Sequence, residues 1–155
     1  MMSTIEAPPA TLIETPPASL ESDMSAADHR PVHVPVLLDQ VREVMAPALR
    51  SWLLDLTVGA AGHAADLLQA SKELRLLGID QDARILALAR ERLRGFGERV
   101  RLECANFDRV GEICARMGLS GVDGALIDLG VSSLQLDDPE RGFSFVQDGP
   151  LDMRM

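Results

Sequence analysis

Residues 51–80 read SWLLDLTVGAAGHAADLLQASKELRLLGID, and this stretch decides the fold. It opens with a short apolar run at 51–57 and closes with a second one at 74–80. Between the two runs, a turn that contains glycine leads into a predicted helix at 62–70. An apolar run, a crossover helix and another apolar run form the repeating unit of a parallel sheet with right-handed connections. The stretch therefore predicts an α/β fold.

The same alternation continues toward the carboxyl terminus. Residues 82–94 predict a second helix, for which Asp82 is a suitable N-cap and Gly95 a suitable stop. A third strand is predicted at 100–107 and, after a further amphipathic helix, a fourth at 122–130. Apolar residues at helical spacing also predict a helix before the first strand. We expect an α/β, Rossmann-like fold with about four parallel strands and flanking helices.

Two segments lack this pattern. Residues 1–30 are rich in Pro, Ala, Ser, Thr and Glu, and they offer too little apolar area to offset the entropy of ordering, so we expect a disordered acidic tail. Residues 130–155 contain turn residues and charges without a clear period, which predicts a long loop. A long loop that follows a strand of an open α/β sheet is typical of a ligand site.

Composition limits the classes of function. The chain has 155 residues, 46% of them hydrophobic and 25% charged, which indicates one globular, soluble domain. No apolar run is long enough to cross a membrane, and the amino terminus lacks the features of a secretory signal, so we expect a cytoplasmic protein. Cys104 and Cys114 have no CxxC spacing and no histidine companion, so we expect buried thiols and no disulfide or metal site.

The net charge of −9 weighs against nucleic-acid binding, because nucleic-acid-binding proteins usually carry a basic patch. Residues 1–30 contribute −4, from five acidic residues and one arginine, and the rest of the chain contributes −5. Fourteen of the fifteen basic residues are arginine, whose guanidinium group suits phosphate and base contacts. If RNA is a partner, we expect the basic surface to lie elsewhere in the protein.

The first loop and the end of the second strand predict a nucleoside site. Gly59 lets the backbone pass close under a ligand, and Asp80 ends the second strand where a carboxylate can accept ribose hydroxyls. The dinucleotide fingerprint G-x-G-x-x-G would require glycine where the chain has Ala61 and Ala64. Asp55 suits a cationic ligand better than a pyrophosphate. These features favour the methyl donor S-adenosylmethionine over NAD.

Six ordered strings carry a specific resemblance to a known family. They are HVPVLL (33–38), DLTVGAAGH (55–63), DQD (80–82), DLGVSSLQLD (128–137), RGFSF (141–145) and DGPLDMRM (148–155). Over residues 31–155 the chain resembles the RsmH (MraW) family of bacterial 16S rRNA cytosine-N4 methyltransferases. The resemblance implies the N-terminal part of a class I methyltransferase domain, with S-adenosylmethionine as cofactor and 16S rRNA of the small ribosomal subunit as partner.

The resemblance also implies a set of site residues. The expected contacts to the methyl donor are Ala61, Gly62, His63, Asp80, Phe107, Asp128 and Gln135. Asp128 is in addition the candidate catalytic residue, because an acceptor for the hydrogens of cytosine N4 would direct its lone pair toward the methyl group. The family usually has glycine at Ala61, and a backbone contact there would survive the added methyl group if φ is negative.

Family members continue beyond the last string with a helical insert and further strands. We therefore expect the present chain alone to be poorly stable and inactive on RNA, with an unpaired strand edge that would promote association, such as a homodimer. Two alternatives stay open. One is a truncated, non-catalytic fragment that binds adenosyl ligands, and the other is an NAD-type dinucleotide binder.

Overall fold

The computed structural model describes residues 35–154, which form helices and strands around one sheet. The helices are α1 (Leu38–Met45), α2 (Gly62–Ala70), α3 (Ala83–Leu93), α4 (Val110–Arg116) and α5 (Ser133–Asp137). The strands are β1 (Trp52–Asp55), β2 (Arg75–Asp80), β3 (Val100–Cys104) and β4 (Gly124–Leu126). Short 3-10 turns cover Ala46–Ala48, Arg94–Arg99, Phe107–Arg109 and Pro139–Arg141. The tail expected at 1–30 lies outside the described residues, as does His33.

The four strands are parallel and lie in the order β3-β2-β1-β4. This order places the first strand inside the sheet and reverses the direction of winding between β3 and β4, which is the Rossmann-like arrangement. The register pairs Asp55 with Gly78 on β2 and with Leu126 on β4. The carboxyl ends of these three strands therefore meet at one edge of the sheet. The predicted α/β fold is confirmed.

The sheet has an apolar cluster on each face because crossover helices cover both sides. On one face α2 and α3 pack against residues of β1 and β2, in a cluster whose fully buried members include Leu53, Leu67, Leu76 and Leu86. On the other face α4 packs through Ile113 against Leu54, Leu77 and Ile79. Neighbouring residues of β1 and β2 therefore point alternately into the two apolar clusters. The loops at the strand ends are thus attached to a well-packed sheet.

Several sequence predictions were wrong in detail. The segment 130–155 is not a continuous loop, because α5 and a 3-10 turn lie within it. The predicted helix at 82–94 corresponds to α3 and ends at Leu93, but a 3-10 turn at Arg94–Arg99 follows at the position where Gly95 was expected to stop the helix. Cys104 ends the outer strand β3 and is exposed, and Cys114 is only half-buried, so the expected pair of buried thiols is not found. Within residues 35–154 no helix is both long and apolar enough to span a membrane.

Candidate active site

A cleft of about 490 Å³ opens at the carboxyl ends of β1, β2 and β4. Its volume lies in the range of small-molecule sites. Six of the seven residues expected at the methyl donor line it, namely Gly62, His63, Asp80, Phe107, Asp128 and Gln135. Ala61 has no exposed surface and is not part of the lining. Sequence reasoning missed Pro35 and Val36, which precede α1 and also line the cleft.

Asp80 joins the first loop to the end of β2. Its Oδ2 accepts a hydrogen bond of 2.9 Å from the backbone N–H of Gly59, and its Oδ1 accepts one of 2.9 Å from the backbone N–H of Asp82. Each oxygen of a carboxylate has a second lone pair, so both can accept a further donor from the cleft. The predicted convergence of Gly59 and Asp80 is therefore present, and the carboxylate is held in place by two backbone amides.

The first loop needs a left-handed backbone at two positions. Gly59 has φ +53°, and Ala61, the N-cap residue of α2, has φ +62° and ψ +37°. The condition of a negative φ at Ala61 is thus not met. The reason is the tight turn that starts α2: the N–H of Ala61 donates to the carbonyl of Val58 at 2.8 Å, and its own carbonyl accepts from Ala65. Both backbone groups of Ala61 are used inside the protein.

Gly62 cannot carry a side chain in this arrangement. A Cβ added at this position would overlap the ring of Pro35, which packs directly on the start of α2. The absence of a Cβ lets the segment before α1 close over the first turn of α2. Gly62 thereby shapes one wall of the cleft.

A second set of hydrogen bonds joins the ends of β1 and β4. The backbone N–H of Thr57 donates to Oδ1 of Asp55 at 3.3 Å, and Oγ1 of Thr57 accepts from the backbone N–H of Asp128 at 2.7 Å. Thr57 therefore fixes the backbone of Asp128 while the Asp128 side chain stays 63% exposed and open to a ligand. Sequence reasoning did not foresee this role of Thr57.

Asp55 is a buried carboxyl group with only 2% of its surface exposed. Burial raises the pKa of Asp55 to about 7; the hydrogen bond from Thr57 opposes this change, and the nearby charges of Asp80 and Asp128 add to it. Three carboxyl groups thus share one cleft, and the buried one holds its proton up to near neutral pH. Such a site favours a ligand that carries positive charge.

His63 lies in the first turn of α2 and is 8% exposed. Its Nε2 is 3.9 Å from Oδ2 of Asp128. Its Nδ1 is buried and has no hydrogen-bond partner in the described part of the chain. Phe107 is 42% exposed and begins the 3-10 turn after β3, where it lines the same cleft. The cleft therefore combines an aromatic ring with an imidazole and carboxyl groups.

Gln135 is buried at the cleft, and its amide has protein partners at both ends. Its Oε1 accepts from the backbone N–H of Ser132 at 2.9 Å, and its Nε2 donates to Oδ2 of Asp82 at 3.2 Å. The first contact is half of a capping box at the start of α5, which the spacing Ser-x-x-Gln could have predicted. Through its amide, Gln135 holds α5 against the start of α3.

Asp82 connects the same region to Arg141. Its carboxylate caps α3 by accepting from the backbone N–H groups of Arg84 and Ile85, as predicted for an N-cap, and it contacts Nη2 of Arg141 at 2.7 Å. Burial by itself would raise the pKa of Asp82, but the hydrogen bonds from Arg141, Gln135 and the two amides outweigh it and hold the pKa below its usual value. This ion pair ties the segment after β4 to the side of the cleft that carries Asp80.

The chain also matches a known protein family. Residues 30–155 match the model of the MraW methylase family. The chain belongs to this family. Its sheet is accordingly a class I methyltransferase sheet, and the family resemblance of the six sequence strings is confirmed.

Three relatives of the family are each named ribosomal RNA small subunit methyltransferase H. The protein of Salinispora arenicola is 50% identical over 130 residues, which cover 81% of this chain and 35% of the relative. That of Heliobacterium modesticaldum is 51% identical over 125 residues, 79% of this chain and 40% of the relative. That of Frankia alni is 52% identical over 128 residues, 80% of this chain and 39% of the relative. The chain thus spans 35% to 40% of the lengths of these relatives.

Among solved structures, a candidate rRNA-methylase of Clostridium thermocellum overlaps 52% of this chain and 46% of its own. The sequence identity is 17% and the TM-score 0.45. This overlap is too weak to bear on the fold, which follows from the strand order and register.

Replacing Ala61 by glycine should test the strain of the left-handed backbone at this position. A left-handed backbone costs a residue with a Cβ about 1–2 kcal/mol, and glycine avoids this cost. The gain offsets the lost burial of the methyl group and the higher entropy of glycine in the unfolded chain. We therefore expect Ala61→Gly to change the free energy of unfolding by less than about 0.5 kcal/mol.

The matched control is Ala64→Gly, because Ala64 is equally buried but lies inside α2. There the lost methyl group and the helix propensity act together, and we expect a loss of about 1.5–2 kcal/mol. Urea denaturation of both variants measures the difference. Equal losses at the two positions would show that Ala61 is not strained.

Proposed function

We propose that the chain is the donor-binding part of an S-adenosylmethionine-dependent methyltransferase. Its substrate is the N4 amine of a cytidine in the decoding region of 16S rRNA, in the small ribosomal subunit of the cytoplasm. The observation that carries the proposal is the contact between Asp80 and the Gly59 loop, within the same cleft as Asp128. The names of the relatives support small-subunit rRNA as the substrate, whereas the N4 amine and the decoding region rest on the family resemblance. Homodimer formation and poor stability of the isolated chain stay predictions.

The residues of the cleft fit this methyl donor. Asp80 would hold the ribose hydroxyls through its two free lone pairs, and Phe107 would flank the adenine. The carboxyl groups of Asp55 and Asp128 would lie in the same cleft as the positively charged end of the donor. A pyrophosphate would meet the same carboxyl groups with a repulsive charge, which disfavours an NAD-type dinucleotide. When bound, S-adenosylmethionine supplies a methyl carbon that a lone pair can attack.

The residues of this chain would act mainly by position and electrostatics. The Asp128 carboxylate, with the backbone carbonyls of Leu129 and Gly130, would accept the hydrogens of the cytosine amine and so direct its lone pair. Thr57 holds the Asp128 backbone for this task, and His63 lies close enough to limit the carboxylate's movement. The target base must leave its stack to enter the cleft. Asp128 could then take the proton that the amine releases.

Calorimetric titration of the chain with S-adenosylhomocysteine and with NAD tests this proposal. We expect binding of the first ligand only, and we expect Asp80→Asn to weaken it about 10- to 100-fold, because a hydrogen bond to a charged group contributes about 1.5–3 kcal/mol. Asp123→Asn is the control, since this exposed carboxylate lies outside the cleft. NAD as the preferred ligand, or full affinity in Asp80→Asn, would contradict the proposal.

Asp128→Ala completes the same experiment. In the full-length protein with rRNA as acceptor, this variant should keep its affinity for S-adenosylhomocysteine within a few-fold and lose methyl transfer. Wild-type turnover would remove Asp128 from the catalytic role.

A further inference from the structure

Arginine residues are concentrated in one part of this acidic chain. The segment 84–101 contains six arginines and two glutamates, whereas the whole chain has a net charge of −9. In the structure this segment forms α3, the 3-10 turn after it and the start of β3, one of the two outer strands of the described sheet. The net charge therefore conceals a local excess of positive charge on one side of the molecule.

Three of these arginines already serve the fold or the cleft. Arg99 donates from Nη1 to the backbone carbonyls of Leu68, Ser71 and Leu74, which close the end of α2 and the loop before β2. Arg84 pairs with Asp138 at 3.0 Å. Arg92 lines the cleft and donates to the carbonyl of Ala60 at 3.4 Å. The guanidinium groups of these three arginines therefore already make contacts within the chain.

The other three arginines lie around a shallow, open groove on the surface between the last turn of α3 and β3. They are Arg90, Arg94 and Arg101, and all three are exposed. Arg94 has an exposed partner, Glu91, at 3.2 Å. Within residues 35–154 neither Arg90 nor Arg101 has a carboxylate within ion-pair distance. The groove therefore presents guanidinium groups that are available to a partner.

The side chains around the groove suit a phosphodiester strand. Leu93, Val100 and Leu102 are among its lining residues, so apolar groups accompany the arginines. Guanidinium groups bind phosphate oxygens through two parallel hydrogen bonds, and they lose less hydration than lysine ammonium groups do. Along the open side of β3, which pairs only with β2 in the described sheet, further backbone groups lie next to Arg101.

We propose that this groove binds the phosphate backbone of the RNA substrate, outside the reacting nucleotide. The inference rests on the proposed function for the identity of the nucleic acid. Helix α3 starts at the cleft, where Asp82 caps it, and its 11 residues reach the groove after about 16 Å. A stacked strand spans that distance in about five nucleotides at 3.4 Å each. The groove thus holds RNA that flanks the target base.

Fluorescence anisotropy of a labelled single-stranded RNA of mixed sequence, titrated with this chain, tests the groove. We expect Arg90→Gln/Arg101→Gln to lower the affinity at least tenfold in low salt. Each phosphate contact on a single strand contributes about 0.7 to the slope of log K against log salt, so the slope should fall by about 1.4. Arg90→Lys/Arg101→Lys should keep most of the slope.

The matched control is Arg109→Gln/Arg116→Gln, which removes the same charge from the α4 side, where Glu112 and Glu103 pair with these arginines. We expect it to bind RNA like the wild type. Equal losses of RNA affinity in the two glutamine variants would overturn the proposal, because the change in overall charge would then explain both losses. Competition by polyglutamate as strong as by RNA would also overturn it, in favour of an acidic protein partner.

S-adenosylhomocysteine titrations of the same variants separate this inference from the proposed function. Unchanged donor binding with lower RNA affinity in Arg90→Gln/Arg101→Gln supports the groove. Donor binding without any effect of that variant on RNA affinity overturns the groove and leaves the proposed function standing. If the wild-type chain does not bind S-adenosylhomocysteine but its RNA affinity falls in Arg90→Gln/Arg101→Gln, the result would support RNA binding at the groove and count against the proposed function.

Discussion

Replacing Arg141 by methionine is expected to lower the free energy of unfolding by roughly 2–3 kcal/mol, because breaking a largely buried ion pair leaves a charge without its partner. Nη2 of Arg141 lies 2.7 Å from Oδ2 of Asp82, and the two side chains are 16% and 3% exposed. Methionine keeps much of the apolar length of arginine and removes its cation. Urea denaturation at pH 7 measures the loss.

Two further variants make this result specific. Asp82→Asn in the Arg141→Met background should restore part of the loss, because asparagine caps a helix as well as aspartate does and carries no charge. The recovery should be incomplete, because the new side-chain NH2 group would face Nε2 of Gln135, which is also a donor. Arg154→Met is the surface control. Its partner Asp152 is 43% exposed, so this pair should contribute less than about 1 kcal/mol.

The effect of Arg141 should also depend on pH. The pKa of Asp82 is held below its usual value in the folded state, so the stability it contributes is present above the unfolded pKa of about 3.9 and is lost as the pH falls through the folded value. The difference between wild type and Arg141→Met should therefore shrink below about pH 4. A difference that stays constant down to pH 2 would show that packing, rather than charge, explains the loss.

Most of the fold could be predicted from the sequence because its signals are local. The predicted helix at 62–70 has the bounds of α2, and the strand cores fall inside the apolar runs. The fourth strand was predicted at 122–130 but ends at Leu126. The pairing of β4 with β1 stops there because the N–H of Asp128 donates to the hydroxyl of Thr57 instead of a backbone carbonyl. A contact between residues 71 positions apart has no local signal.

The candidate site was predictable where it depends on topology alone. Carboxyl ends of neighbouring parallel strands must meet, so Gly59 and Asp80 could be placed together before the structure was known. The backbone of Ala61 and the pairing of Arg141 could not be inferred in the same way. The first depends on how tightly the loop turns into α2, and the second on where the segment after β4 folds back.

Replacing Asp55 by asparagine is expected to raise the free energy of unfolding at pH 8 by on the order of 3–4 kcal/mol. Burial, against the hydrogen bond from Thr57, raises the pKa of Asp55 to about 7, and unfolding returns it to about 3.9. Between these values only the folded state holds the proton, so stability falls by about 1.4 kcal/mol for each pH unit. Asparagine keeps an oxygen for the Thr57 N–H and avoids this loss. Urea denaturation at pH 4 and pH 8 should show the gain only at the higher pH.

The same substitution should weaken the binding of the methyl donor, because the ionised carboxylate that costs stability is the group that attracts a cation. In the wild type, affinity for S-adenosylmethionine should rise between pH 6 and pH 8 as Asp55 loses its proton, whereas in Asp55→Asn it should stay level. Asp123→Asn, with its carboxylate outside the cleft, should behave like the wild type in both measurements. A variant that gains stability at pH 8 and binds the donor as tightly as the wild type would separate the two effects and remove Asp55 from the donor site. A variant that gains stability at pH 8 and binds the donor more weakly than the wild type would show that the buried charge of Asp55 destabilises the folded chain and that the bound cation offsets this cost.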